Sequence, residues 1–235
     1  MVYSTAKWGL HTCYCGQVTY AASVTADGKT TYYASLQEAF NAADGGVVKP
    51  LLRSIEEKVT VSQNAILDLS AMELTYGLSY NGQLSVTGSL TVVADGSGTG
   101  VDLNQLAVPV SVKDGGKLIV PAACADGKIN CVQLVSGVTV EDGGSVTISG
   151  GSVERTLMLE KDSTAVISGG NISSLILTDI PKSVAISGGS FDNIHIYKNA
   201  HDGSGVIRSD ITYADFAALL TDGKAFQLTG GSWAN

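Results

Sequence analysis

The chain has 235 residues, a formal net charge of −8 and a pI near 4.7, and 15% of its residues are charged, against about 25% in an average globular domain. The acidic balance argues against nucleic acid, because proteins that bind it present lysine and arginine. A mean hydropathy of +0.21 excludes a disordered chain. No apolar run approaches the roughly 18 residues of a membrane helix, so no membrane insertion is expected.

Residues 1–19 are predicted to be a leader or linker before a single domain over residues 20–235. The opening residues lack the basic and apolar regions of a signal peptide, so the protein is either cytosolic or a piece of a larger secreted chain. His11, Cys13 and Cys15 alternate, so an extended segment would place them on one side, where they could bind zinc. A fourth ligand is missing nearby. Free thiols, or disulfides to the downstream cysteines, are the alternatives.

A short helix is predicted at about residues 35–44. Ser35 and Glu38 form a capping box, in which the serine accepts a hydrogen bond from the glutamate N–H and the glutamate reaches back. One apolar stripe follows and ends before two glycines; it consists of Leu36, Ala39, Phe40 and Ala43. An amphipathic helix in this position predicts a cap over the end of a stacked sheet.

Strands follow the helix. Alternating apolar residues predict strands with one buried face at 59–61, 65–69 and 84–86. Residues 110–118 match residues 138–146 at an offset of 28, which exceeds by nine the 19-residue spacing found further along. The excess is about the length of the segment from Cys124 to Cys131, which we interpret as an extruded loop. An Asp-Gly turn lies between these two cysteines, and a local disulfide is predicted there.

The strongest pattern is a 19-residue repeat in the second half. An Ile-Ser-Gly-Gly motif starts at Ile148, Ile167 and Ile186, and returns in looser form at Leu228. Aliphatic residues two apart recur with the motif, which indicates strands with one buried face, and the glycines allow the chain to turn. Stacked repeats of this length are typical of solenoids, with one coil per repeat. Roughly seven coils are expected over residues 58–196, about 34 Å of stacked sheet.

The same alignment predicts which side chains point outward after the Gly-Gly turn. Two adjacent outward columns contain an apolar patch, which is formed by Leu157, Leu159, Ile176 and Tyr197. Contiguous exposed apolar surface of a few hundred Å² marks an interface. The patch is therefore predicted to bind another copy, giving weak self-association, or a neighbouring domain. A loop from residues 200–211 that covers the patch is the alternative.

A second helix is predicted at about residues 212–221. Its apolar stripe precedes a glycine stop and consists of Tyr213, Phe216, Ala217 and Leu220. Residues 226–228 are then predicted to rejoin the sheet. Trp233 follows a Gly-Ser pair as Phe191 does, and both are predicted to lie in the core.

Four parts of the chain carry a resemblance to a known class of modules. They are the segments 33–43, 67–69 and 217–226, together with the Ile-Ser-Gly-Gly-Ser-Phe turns. The chain resembles, over most of residues 20–233, the pectate-lyase-like modules of Gram-positive gut-bacterial surface proteins. The resemblance implies a right-handed parallel β-helix with a short capping helix near each end, and an extracellular or cell-surface location. Such modules occur in adhesin-like proteins and beside carbohydrate-active domains.

Two pairs of carboxylates are candidates for catalysis. Glycoside hydrolysis needs carboxyl groups about 5–5.5 Å apart for retention, or about 6.5–9.5 Å apart for inversion. The 19-residue alignment puts Glu160 and Asp179 in one column on neighbouring coils, and Glu154 and Asp192 in another, two coils apart. The alternative is that the surface columns of an acidic protein hold such residues by chance.

A structural calcium site is the remaining candidate. Asp-Gly turns at 95–98 and 202–205 could supply oxygen ligands, but they lack the dense acidic spacing of calcium loops, and ordinary turn chemistry explains them. No other cofactor is expected.

These observations predict a non-catalytic extracellular module, used for binding, adhesion or spacing, whose ligand is a host or dietary glycan or a protein. The first alternative is a carbohydrate-active enzyme on the same fold, either a glycoside hydrolase or a polysaccharide lyase. The second is a purely structural stalk. Converging carboxylates and exposed aromatic side chains in a groove would favour the enzyme, and a smooth outer face would favour the stalk.

Overall fold

The computed structural model of the chain describes residues 3–5, 11–13, 18–55, 58–70, 73–76, 82–94, 104–122, 132–179, 181–196 and 226–233. In these ranges the chain is nearly all β. The elements are α1 Leu36–Asn41 and the strands β1 Tyr3–Thr5, β2 His11–Cys13, β3 Val18–Thr19, β4 Ala22–Ala26, β5 Lys29–Tyr33, β6 Val47–Pro50, β7 Ser54–Ile55, β8 Lys58–Val61, β9 Ala65–Asp68, β10 Glu73–Tyr76, β11 Gln83–Val86, β12 Ser89–Val93, β13 Gln105–Ala107, β14 Val110–Val112, β15 Lys117–Val120, β16 Gln133–Leu134, β17 Val138–Val140, β18 Ser145–Ile148, β19 Ser152–Val153, β20 Leu157–Leu159, β21 Thr164–Leu177, β22 Ser183–Ile196, β23 Phe226–Leu228 and β24 Ser232–Trp233.

Strands β4 to β24 form one long sheet in which most pairs are parallel. From β7 to β17, each strand pairs in parallel with the strand three places later in the chain. The strands therefore lie in three stacks. Stack A begins at β8, stack B at β9 and stack C at β7, and three consecutive strands, one in each stack, form one repeat.

The long strands β21 and β22 each pass through all three stacks. Residues 164–167 of β21 lie in stack B, residues 171–172 in stack C and residues 175–177 in stack A. In the described part of the chain, stack A holds seven strands between residues 58 and 196, the number expected from the sequence; they belong to β8, β11, β14, β17, β20, β21 and β22.

The core lies between the stacks and is built of aliphatic columns. Ile148, Ile167 and Ile186 pair in register, and each is at most 1% exposed. Val153 and Phe191 flank Ile172 in the same way in stack C, and both are buried. These columns confirm the predicted alignment over the Ile-Ser-Gly-Gly motif. Stacking like side chains at each level buries them continuously, which is the main favourable contribution to folding.

The predicted alignment is wrong at one step of stack A, from β20 to β21, where it is off by one residue, whereas the predicted pairing of Leu175 with Ile194 is confirmed. Val153 pairs with Ile172, 19 residues on, whereas Leu157 pairs with Leu175, 18 residues on. Three residues lie between Val153 of stack C and Leu157 of stack A, whereas two lie between Ile172 and Leu175 in the next repeat. The first corner is therefore one residue longer than the second. Leu157 and Leu159 are therefore 0% exposed. A one-residue shift reverses the direction of every side chain along a strand.

Helix α1 covers the start of the stacks. Its N-cap is Ser35, whose Oγ accepts a hydrogen bond from the Glu38 N–H at 3.1 Å, while the Glu38 carboxylate accepts from the Ala34 N–H at 3.2 Å. The predicted capping box is thus present, with the glutamate reaching one residue further back. The helix ends at Asn41, earlier than predicted, and its buried residues are Leu36, Ala39 and Phe40.

The side chain of Gln37 closes the free edge of β8. Its Oε1 accepts from the Thr60 N–H at 2.7 Å, and its Nε2 donates to the Thr60 carbonyl oxygen at 2.8 Å. These are the two hydrogen bonds that a neighbouring strand would make, and an unpaired strand edge is otherwise a template for another chain. The helix is therefore an edge cap as well as a cover for the core, as the sequence predicted.

The strands at the N-terminal end of the chain include antiparallel pairs. β4 pairs antiparallel with both β5 and β6, and β6 then joins β9 of stack B in parallel. β1, β2 and β3 form a separate antiparallel sheet. Among the described residues, no helix is long and apolar enough to cross a membrane.

Extra residues enter the early repeats between stack B and stack C. β15 ends at Val120 and β16 begins at Gln133, whereas β18 and β19 are joined by three residues. The predicted insertion therefore lies at this corner. A second insertion at the same corner, between Val93 and Gln105, was not predicted. The predicted helix at 212–221 lies outside the described residues, and the predicted strand at 226–228 is confirmed as β23.

Candidate ligand-binding groove on stack C

Polar side chains form a column along the outer face of stack C. The strand pairing aligns Gln105, Gln133, Ser152, Asn171 and Ser190. They point outward because the next residue of each strand is apolar and buried in the core, and successive residues of a strand face opposite sides. Two hydrogen bonds link members of the column, at 3.0 Å from Gln105 Nε2 to Gln133 Oε1 and at 2.7 Å from Ser190 Oγ to Asn171 Oδ1.

A second polar column runs beside the first one. Glu154, Ser173 and Asp192 each directly follow a paired core residue of stack C, so they lie at equivalent positions of three successive repeats. The two columns together line an open groove of about 300 Å³, whose lining residues are Gln133, Ser152, Val153, Glu154, Asn171, Ser173, Ser190 and Asp192. Backbones two strands apart are separated by about 9.6 Å, so the two carboxylates mark points along the groove about that far apart.

One carboxylate of the groove is held by a residue two positions earlier in the chain. Ser152 is 8% exposed, and its Oγ donates to Glu154 Oε1 at 2.6 Å. A carboxylate can accept several hydrogen bonds, so Glu154 can accept further ones from a ligand in the groove. The groove thus presents hydroxyl and amide groups, which both donate and accept, together with two acceptor-only carboxylates.

The other predicted carboxylate pair is not brought into one column. Leu159 pairs with Leu177, and the Thr178 N–H donates to the Leu159 carbonyl oxygen. Thr178 is therefore the residue level with Glu160, and Asp179 lies one position further along. The prediction that Glu160 and Asp179 share a column was wrong, for the same one-residue reason that reverses the leucines.

The predicted apolar patch is also changed by this shift. Leu157 and Leu159 point into the core, so they cannot form a binding surface. Ile176 does point outward, where it is half-buried and pairs with Met158 on one side and His195 on the other. Tyr197 lies outside the described residues.

The predicted metal and disulfide residues are not tested. His11 and Cys13 belong to β2, whose side chains the structure does not describe. Cys15, Cys124 and Cys131 lie outside the described residues, as do both Asp-Gly turns considered for calcium. Zinc binding, the local disulfide and structural calcium stay predictions.

The residues that the sequence analysis missed are the neutral ones of the groove. Ser152, Asn171 and Ser190 recur every 19 residues, so their common column could have been read from the repeat. Gln133 could not, because the insertion before β16 breaks the spacing. Serine and asparagine next to a glycine pair are also ordinary turn residues, which hides a binding role.

Comparison with known proteins adds no information on the function of the groove. No protein-family model, curated protein or solved structure matches the chain. The groove itself is therefore the observation from which a function can be argued.

Proposed function

We propose that the chain is a right-handed parallel β-helix that acts as a non-catalytic extracellular binding module, and that its ligand is a glycan held in the groove on stack C. The parallel pairing of strands that lie three places apart in the chain supports the β-helix. The handedness rests on the rule that parallel crossovers are right-handed in nearly all known cases. The extracellular location and the adhesin-like role rest on the resemblance to bacterial surface modules.

The observation that carries the binding role is the composition of the groove. Seven of its eight lining residues are polar, and they come from four successive strands of stack C. Hydroxyl, amide and carboxylate groups that repeat at the regular spacing of a stacked sheet can form hydrogen bonds with the hydroxyl groups of an extended sugar chain. An open groove also admits part of a polymer, whereas most small-molecule sites are deep and largely apolar.

A carbohydrate-active enzyme is the second candidate, and one distance favours it. The separation of about 9.6 Å between the backbones of Glu154 and Asp192 is close to the upper end of the range for inverting glycoside hydrolases, about 6.5–9.5 Å between carboxyl groups. Both side chains are exposed to solvent, however. Catalytic acids are usually desolvated so that one of them holds its proton near neutral pH. The groove therefore supports binding better than hydrolysis.

The binding role is tested by screening the full chain on a glycan array and measuring the affinity of each hit by calorimetry. Ser173→Tyr should fill the groove and lower the affinity at least ten-fold. The matched control is Thr147→Tyr, a half-buried outward position of stack B. The absence of any glycan ligand would contradict the proposal, and equal loss in both variants would move the site away from the groove.

The enzyme is tested in parallel with the same glycans. We expect no release of reducing sugars or unsaturated products by the full chain. Turnover that is abolished by both Glu154→Gln and Asp192→Asn would replace the binding module by the hydrolase.

A further inference from the structure

We propose that the groove on stack C selects glycans that carry free amino groups, and that it discriminates against those that carry uronic acids. This inference rests on the proposed function, because it specifies the class of glycan that the same site binds. The observation behind it is the sign of the charges along the groove. Its charged lining residues are Glu154 and Asp192, and the other six are neutral.

The two carboxylates are arranged for an extended ligand and not for one ion. Their backbones are about 9.6 Å apart, with Ser173 between them. A calcium ion holds its oxygen ligands at about 2.3–2.6 Å, so carboxylates that converge on one ion must lie much closer together than this. Two ammonium groups on one sugar chain can instead meet the two carboxylates separately.

The hydrogen bond from Ser152 strengthens this interpretation for Glu154. It restrains the carboxylate through Oε1, and the carboxylate can still accept further hydrogen bonds from a ligand. Ammonium is a donor with three N–H groups and no acceptor, which suits a carboxylate. A uronic acid offers only acceptors in its place, and like charges repel.

The size of the preference follows from solvent exposure. Both carboxylates are exposed, so each pairing with an ammonium group is worth about as much as an ion pair in water, which corresponds to about a five-fold change in affinity. Two pairings give roughly a twenty-fold preference at low salt. Because exposed charges are screened, the preference should fall several-fold at high salt.

Three hexasaccharides test the inference by calorimetry with the full chain at pH 5.5. They are β-1,4-linked glucosamine, its fully N-acetylated form and a galacturonic acid hexamer. At low salt we expect the amine form to bind about twenty-fold more tightly than the N-acetylated form, and the uronic form to bind most weakly. The difference should shrink at high salt. An equal affinity for the amine and N-acetylated forms would overturn the inference.

Charge-neutralising variants separate the groove from the general negative charge of the protein. Glu154→Gln and Asp192→Asn should each reduce the preference for the amine form about five-fold, with little change for the N-acetylated form. The matched control is Asp142→Asn, which removes one charge from the exposed turn between β17 and β18. A preference that falls equally in Asp142→Asn would show that net charge, not the groove, is responsible, and would overturn the inference.

The outcomes also distinguish the two proposals. If the N-acetylated form binds, and Ser173→Tyr abolishes its binding, the groove is a glycan site whether or not amines are preferred. An equal affinity for the amine and N-acetylated forms then contradicts only the proposed charge selection. If none of the hexasaccharides binds and the array gives no other glycan, the proposed function itself fails.

Discussion

The early and late repeats of the stacks share one core but differ in length. The long repeats run from β8 to β16, and equivalent core residues of stack A lie 25 to 28 apart there, as with Val59 and Leu84 or Val110 and Val138. In the short repeats, from β17 to β22, the distance falls to 18 or 19, as between Leu157 and Leu175 or between Ile167 and Ile186. The strands of both regions pair in register, so the difference lies in the corners, not in the sheet.

The corner from stack B to stack C shows what shortening requires. In the short repeats it is a Gly-Gly turn: Gly170 and Gly189 have φ values of +85° and +93°, which favour glycine. The preceding glycines have no room for a side chain, since a Cβ on Gly188 would overlap the Ser168 carbonyl oxygen of the repeat below. Two of the long repeats insert residues at this corner instead, between Val93 and Gln105 and between Val120 and Gln133. The three-residue corner is thus built with glycine, and a longer corner can carry inserted segments.

The largest expected effect tests the shared core. Ile167→Asp buries a charge without a partner between Ile148 and Ile186, which should prevent stable folding. Val120→Asp, at the equivalent position of a long repeat, should be as severe. Soluble yield and the β signal in circular dichroism are the measurements. Val166→Asp is the control, because Val166 is 43% exposed on the other face of the same strand and should fold. A stable Ile167→Asp protein would contradict the register.

The next effect tests the one-residue difference between two short repeats. Leu157→Thr should cost about 2–4 kcal/mol, because it removes buried apolar atoms and buries a hydroxyl group. Ile176→Thr, at an outward half-buried position, should cost less than about 1.5 kcal/mol. Urea unfolding of both variants gives the comparison. The reverse order would restore the alignment in which Leu157 points outward.

Two glycine substitutions compare the corner from stack B to stack C in a short repeat with the turn from stack A to stack B in a long repeat. Gly188→Ala should cost about 2–3 kcal/mol, because the added methyl group meets backbone that must shift. Gly115→Ala, in a turn of a long repeat, should cost about 1 kcal/mol: its φ is +71°, but nothing lies within 4 Å of the new methyl group. Thermal unfolding measures both costs. Equal values would mean that close stacking does not determine the short corner.

The smallest effect concerns Gln37, whose side chain caps the first strand of stack A. Gln37→Ala removes both hydrogen bonds to Thr60, which should cost about 1–2 kcal/mol and leave the edge of β8 open. Urea unfolding and size-exclusion chromatography at increasing concentration measure stability and association. The control is Gln63→Ala, an exposed position at which the change should stay within about 0.5 kcal/mol. An unchanged Gln37→Ala protein would show that the edge needs no cap.

Much of the strand pattern was predictable because it depends on local periodicity. Alternating residues around Val59, Leu67 and Leu84 were enough to locate β8, β9 and β11, and a capping box was enough to locate α1. The columns through Ile167 and Ile172 followed from the repeat of the glycine motif. The part of the candidate site that could be read in advance was the pair Glu154 and Asp192, since both lie one residue after such a column.

What the sequence by itself determined was the all-β character, the stacked repeats and the residues of the core columns, because strand periodicity and like-on-like burial are written into residue spacing. Only the tertiary structure decided the side on which Leu157 and Leu159 lie and whether Glu160 meets Asp179. One extra residue in a corner changes the repeat length by only one, so the repeat spacing hardly reveals it. It nevertheless shifts the next strand by one residue, and every side chain of that strand then faces the opposite side. In the groove, the tertiary structure decided the position of Gln133, because the insertion before β16 hides its place in the column.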